Sequence, residues 1–248
     1  MKRIIPSLAV GREGRLLETV RFHRLERPDD PVEAAAAYAD AGADEVMLVG
    51  RGAPLEALVS LSSRIAPSLS IPLAVEIDLA EPQEVEQLLV AGAARVAIEV
   101  PALRDPALVA LLAGAFGSGA IAVRLTASRE SGSWRVVEGG AGVPTEWDAA
   151  IWASVVQTQG AGEIVVESTG RGASDEPLDL ELLAAVSSAV TMPVVAAGEA
   201  EQLEDLFDAL MIGNADAVLV GSLLHSGRET VGTVKSYLAE HGLETGPV

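Results

Sequence analysis

The chain has no cysteine, which excludes disulfides, a thiol nucleophile and any zinc site built on thiolates. Aromatic residues make up only 3% of it, too few for the stacking platform on which single-stranded nucleic acids are bound. Basic residues are also scarce: 17 Lys and Arg stand against 36 Asp and Glu, for a formal charge of −19. Affinity for a polyanion comes mainly from cations that neutralise phosphates, so this balance argues against a general nucleic-acid-binding role. The three histidines, His23, His225 and His241, are scattered without metal-ligand spacing. One uncharged stretch reaches the length of a membrane span. Residues 106–123 reach 18 positions, the lower limit for a membrane span, but Gly117-Ser118-Gly119 split them into a short helix and a short strand suited to a core. No membrane association is expected. The start, Met1-Lys2-Arg3-Ile4-Ile5-Pro6, has no long apolar segment or cleavage site, so a cytoplasmic location is the expectation.

What is present is apolar and regularly spaced. The 248 residues are 49% hydrophobic, enough for one large domain over 1–248. Runs rich in Val, Ile, Leu and Ala recur at 4–10, 46–49, 73–77, 96–100, 120–125, 164–166, 194–197 and 217–220, giving eight candidate strands. Between them lie helical segments with capping signals: Asp30 before Pro31, Asp105 before Pro106, Thr145 with Asp148 three residues on, and Asp179 before Leu180. Near-continuous apolar strands alternating with amphipathic helices imply a parallel sheet covered by helices, and eight such units in about 250 residues match an α/β, (β/α)8 TIM barrel. A half-length repeat supports closure over a doubly wound open sheet. A Gly-x-x-x-apolar motif occurs at Gly42, Gly92, Gly160 and Gly213, with Gly42 and Gly160 118 residues apart and Gly92 and Gly213 121 apart. Pro72 and Pro193 are also 121 apart, as expected of two similar half-barrels.

In such a barrel the chemistry sits at the C-terminal ends of the strands. In order these ends hold Ala9, Gly50-Arg51, Glu76 and Asp78, Glu99, Arg124 and Thr126, Glu167-Ser168-Thr169, Gly198-Glu199 and Gly221-Ser222. Carboxylates dominate the rim. After the fifth strand, Trp134 with Val136-Val137 suggests a β-ribbon that could cover the mouth or pack beside it, with Gly139-Gly140 as its turn.

Four segments carry a specific resemblance: Lys2-Arg3-Ile4-Ile5 with Leu8 and Val10, Gly160-Ala161-Gly162-Glu163-Ile164, Met192-Pro193-Val194-Val195-Ala196, and Tyr237-Leu238-Ala239-Glu240-His241-Gly242. In their order and spacing they resemble the cyclase subunit of imidazole glycerol phosphate synthase, the histidine-biosynthesis barrel, from Lys2 to about Gly242. That resemblance implies cleavage and cyclisation of a nucleotide-derived bisphosphate with ammonia, with two aspartates at the ends of strands one and five as general acid and base. Those positions hold Ala9 and Thr126 here. A methyl has no proton to exchange, and an unactivated hydroxyl is too weak an acid or base near neutral pH. The implied lysine after strand one is matched by Glu18, and the aspartate after strand two by Gly50. The glycine run after strand three is matched by Glu76-Ile77-Asp78, the Asn-Thr pair after strand four by Glu99-Val100, and the Asp-rich turn after strand six by Gly170-Arg171-Gly172-Ala173. Unit charges about 4 Å apart at a dielectric near 20 interact by about 4 kcal/mol, so carboxylates in a phosphate cradle weaken anion binding by about a thousandfold. A second phosphate-binding site at Gly198, Gly221 and Ser222 is retained in type, with Glu199 beside it, and suits a small phosphorylated ligand. At the opposite face Arg3, Glu45, Arg95 and Glu163 match a charged ring through which ammonia from a glutaminase-type partner enters; a salt-bridge layer closing the barrel bottom is the plainer expectation.

Three readings follow. The first is a pseudoenzyme that keeps the fold, has lost the cyclase/lyase activity and serves as a binding or assembly subunit. In the second, Glu76, Asp78, Glu99, Glu167 and Glu199 converge as an acidic mouth of a different enzyme, binding a cationic substrate or an oxygen-seeking divalent cation such as Mg²⁺ or Ca²⁺. Against it, each of these carboxylates could point to solvent or pair with Arg51, Arg124 or Arg171. The third reading is retained cyclase activity in histidine biosynthesis. No other cofactor is expected.

Overall fold

The computed structural model describes residues 1–21, 25–78, 81–130, 132–138, 143–169 and 178–247. His23, Gly139-Gly140 and Gly170-Arg171-Gly172-Ala173 lie outside the described residues. In chain order the elements begin with β1 (Arg3–Val10), α1 (Pro31–Asp40), β2 (Val46–Gly50), α2 (Leu55–Ile65), β3 (Leu73–Ile77), α3 (Pro82–Val90) and β4 (Arg95–Ile98). Next come α4 (Val100–Arg104), α5 (Ala107–Phe116), β5 (Ile121–Glu130), β6 (Ser133–Glu138), β7 (Val143–Asp148), α6 (Ala149–Thr158) and β8 (Glu163–Ser168). The chain ends with α7 (Leu180–Ala189), β9 (Val194–Ala197), α8 (Leu203–Met211), β10 (Ala217–Val220), α9 (Ser222–His225) and α10 (Val231–Glu240).

The strands hydrogen-bond in the order β4-β3-β2-β1-β10-β9-β8-β5, with a further pairing of β4 to β5, and the ribbon β6–β7 follows β5. Neighbouring strands run parallel where β1 meets β2, β2 meets β3, β5 meets β8 and β8 meets β9, whereas β5–β6 and β6–β7 are antiparallel. This is the α/β, (β/α)8 barrel class. By internal contacts the chain falls into two compact units, Met1–Val96 with Leu219–Val248, and Ala97–Val218. Every residue of β2, β3, β9 and β10 is buried, which explains why these strands read as unbroken apolar runs rather than as alternating patterns.

Local chemistry sets the helix starts. The Asp30 carboxylate accepts a hydrogen bond from Val32 N at the start of α1, where Pro31 also occupies the first turn. Asp179 accepts from Leu182 N at 2.9 Å in α7, and Asp105 from Ala107 N at 3.1 Å in α5. Helix ends are set by backbone geometry. Gly42, Gly92 and Gly160, with φ of 87°, 104° and 99°, turn the chain into the left-handed region, where a side chain is strained. At the fourth repeat position that role passes from Gly213 to Asn214, with φ of 54°. In the first unit, buried Lys235 on α10 reaches Asp44 Oδ1 at 2.8 Å, while Asp44 Oδ2 accepts from Ile4 N at 2.8 Å, so one carboxylate fixes α10 and β1 to the turn before β2.

Two sequence expectations are corrected. The fourth strand stops at Ile98 instead of continuing to Val100, because Val100 opens the short helix α4. Thr145 does not cap a helix: it lies in β7, and its hydroxyl donates to Val136 O of β6 at 2.8 Å. The cap is Asp148, which accepts from Ala150 N and Ile151 N. A Thr followed three residues later by an acid has the form of a capping box, but cross-strand pairing claimed the backbone first. Replacing Asp148 with alanine is therefore expected to lower unfolding free energy by about 1 kcal/mol in a urea titration.

Candidate functional site

In the first unit Ala9 lies one residue before the end of β1, paired in register with Val49, and its carbonyl accepts from Leu17 N at 2.8 Å. Gly50, where the resemblance calls for an aspartate, ends β2 in a tightly filled place. A Cβ there would stand 2.8 Å from Leu58 Cδ1 and 3.0 Å from the Glu76 carbonyl oxygen. A side chain there would require Leu58 to shift and would press on the β3 backbone. Glu76 is buried within β3, whereas Asp78 is exposed and lines a cavity of about 230 Å³ together with Pro54, Leu55, Leu58, Ile77 and Glu84. Glu18 is exposed beside a second cavity, of about 390 Å³, lined also by Leu17, Thr19, Arg21, Ser222, His225 and Ser226. Gly221 precedes α9 and Ser222 opens it.

In the second unit the fifth strand is longer than expected, so Thr126 sits inside β5 rather than at its end. Its buried hydroxyl donates to Glu99 Oε1 at 2.5 Å. Glu99 itself occupies the junction between β4 and α4. Two residues before Thr126, and hence on the same face of the strand, Arg124 is only 4% exposed and its guanidinium meets Glu167 Oε2 of β8 at 2.5 Å. Two of the five rim carboxylates are therefore engaged by a hydroxyl and a guanidinium. Glu199 is exposed in the loop after β9, next to Gly198. The ribbon is fixed in place: Trp134 Nε1 donates to Asp179 Oδ2 at 3.0 Å, the Arg129 guanidinium lies 5.1 Å from the Trp134 ring centre, and Arg104 pairs with Glu138.

At the N-terminal ends of the strands, in the first unit, Glu45 is 3% exposed and accepts from Arg3 through Oε2 at 2.7 Å and from Arg95 through Oε1 at 2.8 Å. Each carboxylate oxygen has its own guanidinium, the arrangement in which a buried ion pair can offset its desolvation. Glu163, in the second unit, is buried at the start of β8. Among the described residues no group of three or more His, Asp or Glu is arranged to hold a metal ion.

Residues 3–230 match the family model described as "Histidine biosynthesis protein". The chain belongs to that family. It is 38% identical over 252 residues to the imidazole glycerol phosphate synthase subunit HisF of Symbiobacterium thermophilum, covering 98% of this chain and 97% of the relative. It is also 38% identical over 247 residues to the protein of the same name from Geobacillus thermodenitrificans, covering 98% of each. Likeness to this family thus extends over nearly the whole length.

One feature of this family member escaped the sequence reading. His225, treated there as an isolated histidine, is 5% exposed and bridges three elements of the first unit. Its Nε2 lies 2.8 Å from Ser7 O of β1 and its Nδ1 2.6 Å from Tyr38 Oη of α1. A carbonyl only accepts, so Nε2 carries the proton and Nδ1 accepts from the Tyr38 hydroxyl. Burial lowers the His225 pKa, opposed by the hydrogen bond to Ser7 and the charge of Glu18, and burial raises that of Tyr38. The available signal was Tyr38 on the buried face of α1, following Ala34 and Ala35 at helical spacing.

Because His225 binds a proton less readily when folded than when unfolded, the unfolded chain takes up more protons in that window and stability rises with pH. The contribution is fully present above the unfolded value of about 6.5 and is lost as pH falls toward the lower folded value. Urea midpoints measured between about pH 5 and pH 8 are expected to drop on the acid side, and the H225Q substitution should flatten that slope even though it lowers stability throughout.

Proposed function

We propose that this family member keeps the barrel, has lost the cyclase/lyase activity and works as a binding or assembly subunit. The observation that carries the reading is the Thr126 hydroxyl donating to Glu99 where the resemblance places a catalytic aspartate. An acid-base group must exchange protons with a reacting atom, and at this position the one available proton is committed to a neighbouring carboxylate. Ala9 offers no exchangeable proton at the partner position, and the packing around Gly50 leaves no room for a third acidic side chain without displacement. Both acid-base positions of the resemblance are thus substituted.

The pairing of Glu99 with Thr126 and of Glu167 with Arg124 supports this reading over a new acidic, metal-binding active site, which needs those carboxylates directed at a ligand. The residue types at Gly221 and Ser222, where α9 begins, support a small phosphorylated ligand as what such a subunit would bind. Arg3 and Arg95 are held by Glu45, which supports a stabilising role for that charged set at the N-terminal strand ends. Incubating the purified chain with the family's bisphosphate substrate and an ammonium salt is expected to give no cyclised product. Turnover comparable to that of an active cyclase subunit would overturn the proposal.

A further inference from the structure

The larger cavity of the first unit holds two opposite charges that do not meet. It measures about 390 Å³, within the usual range for a small-molecule site. Glu18 and Arg21, from the segment after β1, line it together with Ser222 and Ser226 at the two ends of α9. Glu18 and Arg21 are exposed and three residues apart. Among the described residues Glu18 forms no hydrogen bond or ion pair, and the Arg21 side chain meets only the Thr19 hydroxyl, Nε to Oγ1 at 3.5 Å. Elsewhere in this acidic chain cations are claimed: Arg3, Arg15, Arg27, Arg104 and Arg124 each hold a carboxylate.

The backbone that carries the two charges is pinned. Leu17 N donates to Ala9 O at 2.8 Å, Val20 N to Pro28 O at 3.0 Å and Arg21 N to His225 O at 2.8 Å. The last acceptor is itself fixed, because the buried His225 ring is held by Ser7 and Tyr38. Residues 17–21 are thus tied to β1, to the turn before α1 and to α9. A ligand that enters has only side chains left to order, which lowers the entropy cost of binding.

We infer that this cavity takes a phosphorylated amine, with Arg21 holding the phosphoryl group and Glu18 the ammonium group; the inference rests on the small phosphorylated ligand proposed above and names its class. Charge selects that class. A guanidinium with no carboxylate offers a planar set of donors to phosphoryl oxygens, and the Ser222 hydroxyl adds another from the same cavity. Glu18 repels a ligand that is anionic throughout, and the −19 of the chain repels it further. An ammonium group on the ligand turns Glu18 from a repelling group into an attracting one and reduces the negative charge that must approach. Arg21 thus stands in for the lysine that the resemblance places at Glu18, and Glu18 becomes the residue that discriminates an amine from a plain phosphate.

The test is titration calorimetry of the full chain at about pH 7.5, where a phosphate monoester is ionised and an amine is protonated. The probes are O-phosphoethanolamine and ethyl phosphate, which has the same phosphoryl end and no amine. The parent is expected to bind O-phosphoethanolamine about fivefold more tightly than ethyl phosphate. E18Q should weaken the first and tighten the second, erasing the preference, whereas R21A should weaken both about tenfold. Both side chains are exposed and the backbone hydrogen bonds of their segment remain, so the melting temperature of each variant should match the parent's. A parent that binds neither probe overturns this inference together with the phosphorylated-ligand reading. Binding of both probes with equal strength, or binding that R21A leaves unchanged, overturns the inference and leaves that reading standing.

Discussion

A buried guanidinium constrains the strands at the centre of the second unit. Arg124 sits on β5 with almost no contact with water, and a charge in that position is tolerable only if it is paired and hydrogen-bonded. Glu167 on the neighbouring strand supplies the pairing. The strand register places Thr126 opposite Glu167, so the same pair of strands also carries the residue at the expected catalytic position. Thr126 is in turn held by Glu99, so two polar pairs lie along β5. Buried polar pairs of this kind favour one arrangement because leaving a member unpartnered is costly. Arg124 and Glu167 thereby tie β5 to β8, and Thr126 ties β5 to the junction after β4.

The first unit solves a similar problem with different groups. Asp44 joins Lys235 to the β1 backbone, Glu45 collects Arg3 and Arg95, and His225 joins Ser7 to Tyr38. Consecutive acidic residues thus serve opposite directions of the chain, one toward α10 and the other toward the strand ends. All three arrangements fix β1, the strand that carries Ala9. Rigidity at that strand survives even where its expected acid-base side chain has been replaced by a methyl.

The barrel class was legible in the sequence because burial of whole strands and capping of helices are local matters. Runs such as 73–77 and 194–197 coincide with β3 and β9, and Asp30 and Asp179 cap as their positions suggest. Thr145 misled because strand pairing is non-local: the same Thr-to-Asp spacing fits a cap or a strand end, and only β6 decides between them. The substitutions at Ala9 and Thr126 were visible as residues. Which carboxylate would meet which partner was not, since Glu99 and Thr126 are 27 positions apart and Arg124 and Glu167 are 43 apart. Nor could composition reveal that Gly50 is walled in by Leu58 and the Glu76 carbonyl.

If Thr126 is a partner of Glu99 rather than a dormant catalytic position, restoring an aspartate there should harm the protein. The T126D substitution places two carboxylates within hydrogen-bonding distance, and like charges so close cannot both ionise without cost. At least one carboxyl of that pair is then protonated more readily in the folded than in the unfolded chain. The defect should be full at neutral pH and shrink as pH falls through the raised value. The decisive measurement is the unfolding free energy of T126D relative to the parent between about pH 4 and pH 8. The account predicts a loss of a few kcal/mol at neutral pH that narrows on acidification. A T126D protein as stable as its parent at pH 7, with no pH-dependent difference, would contradict it.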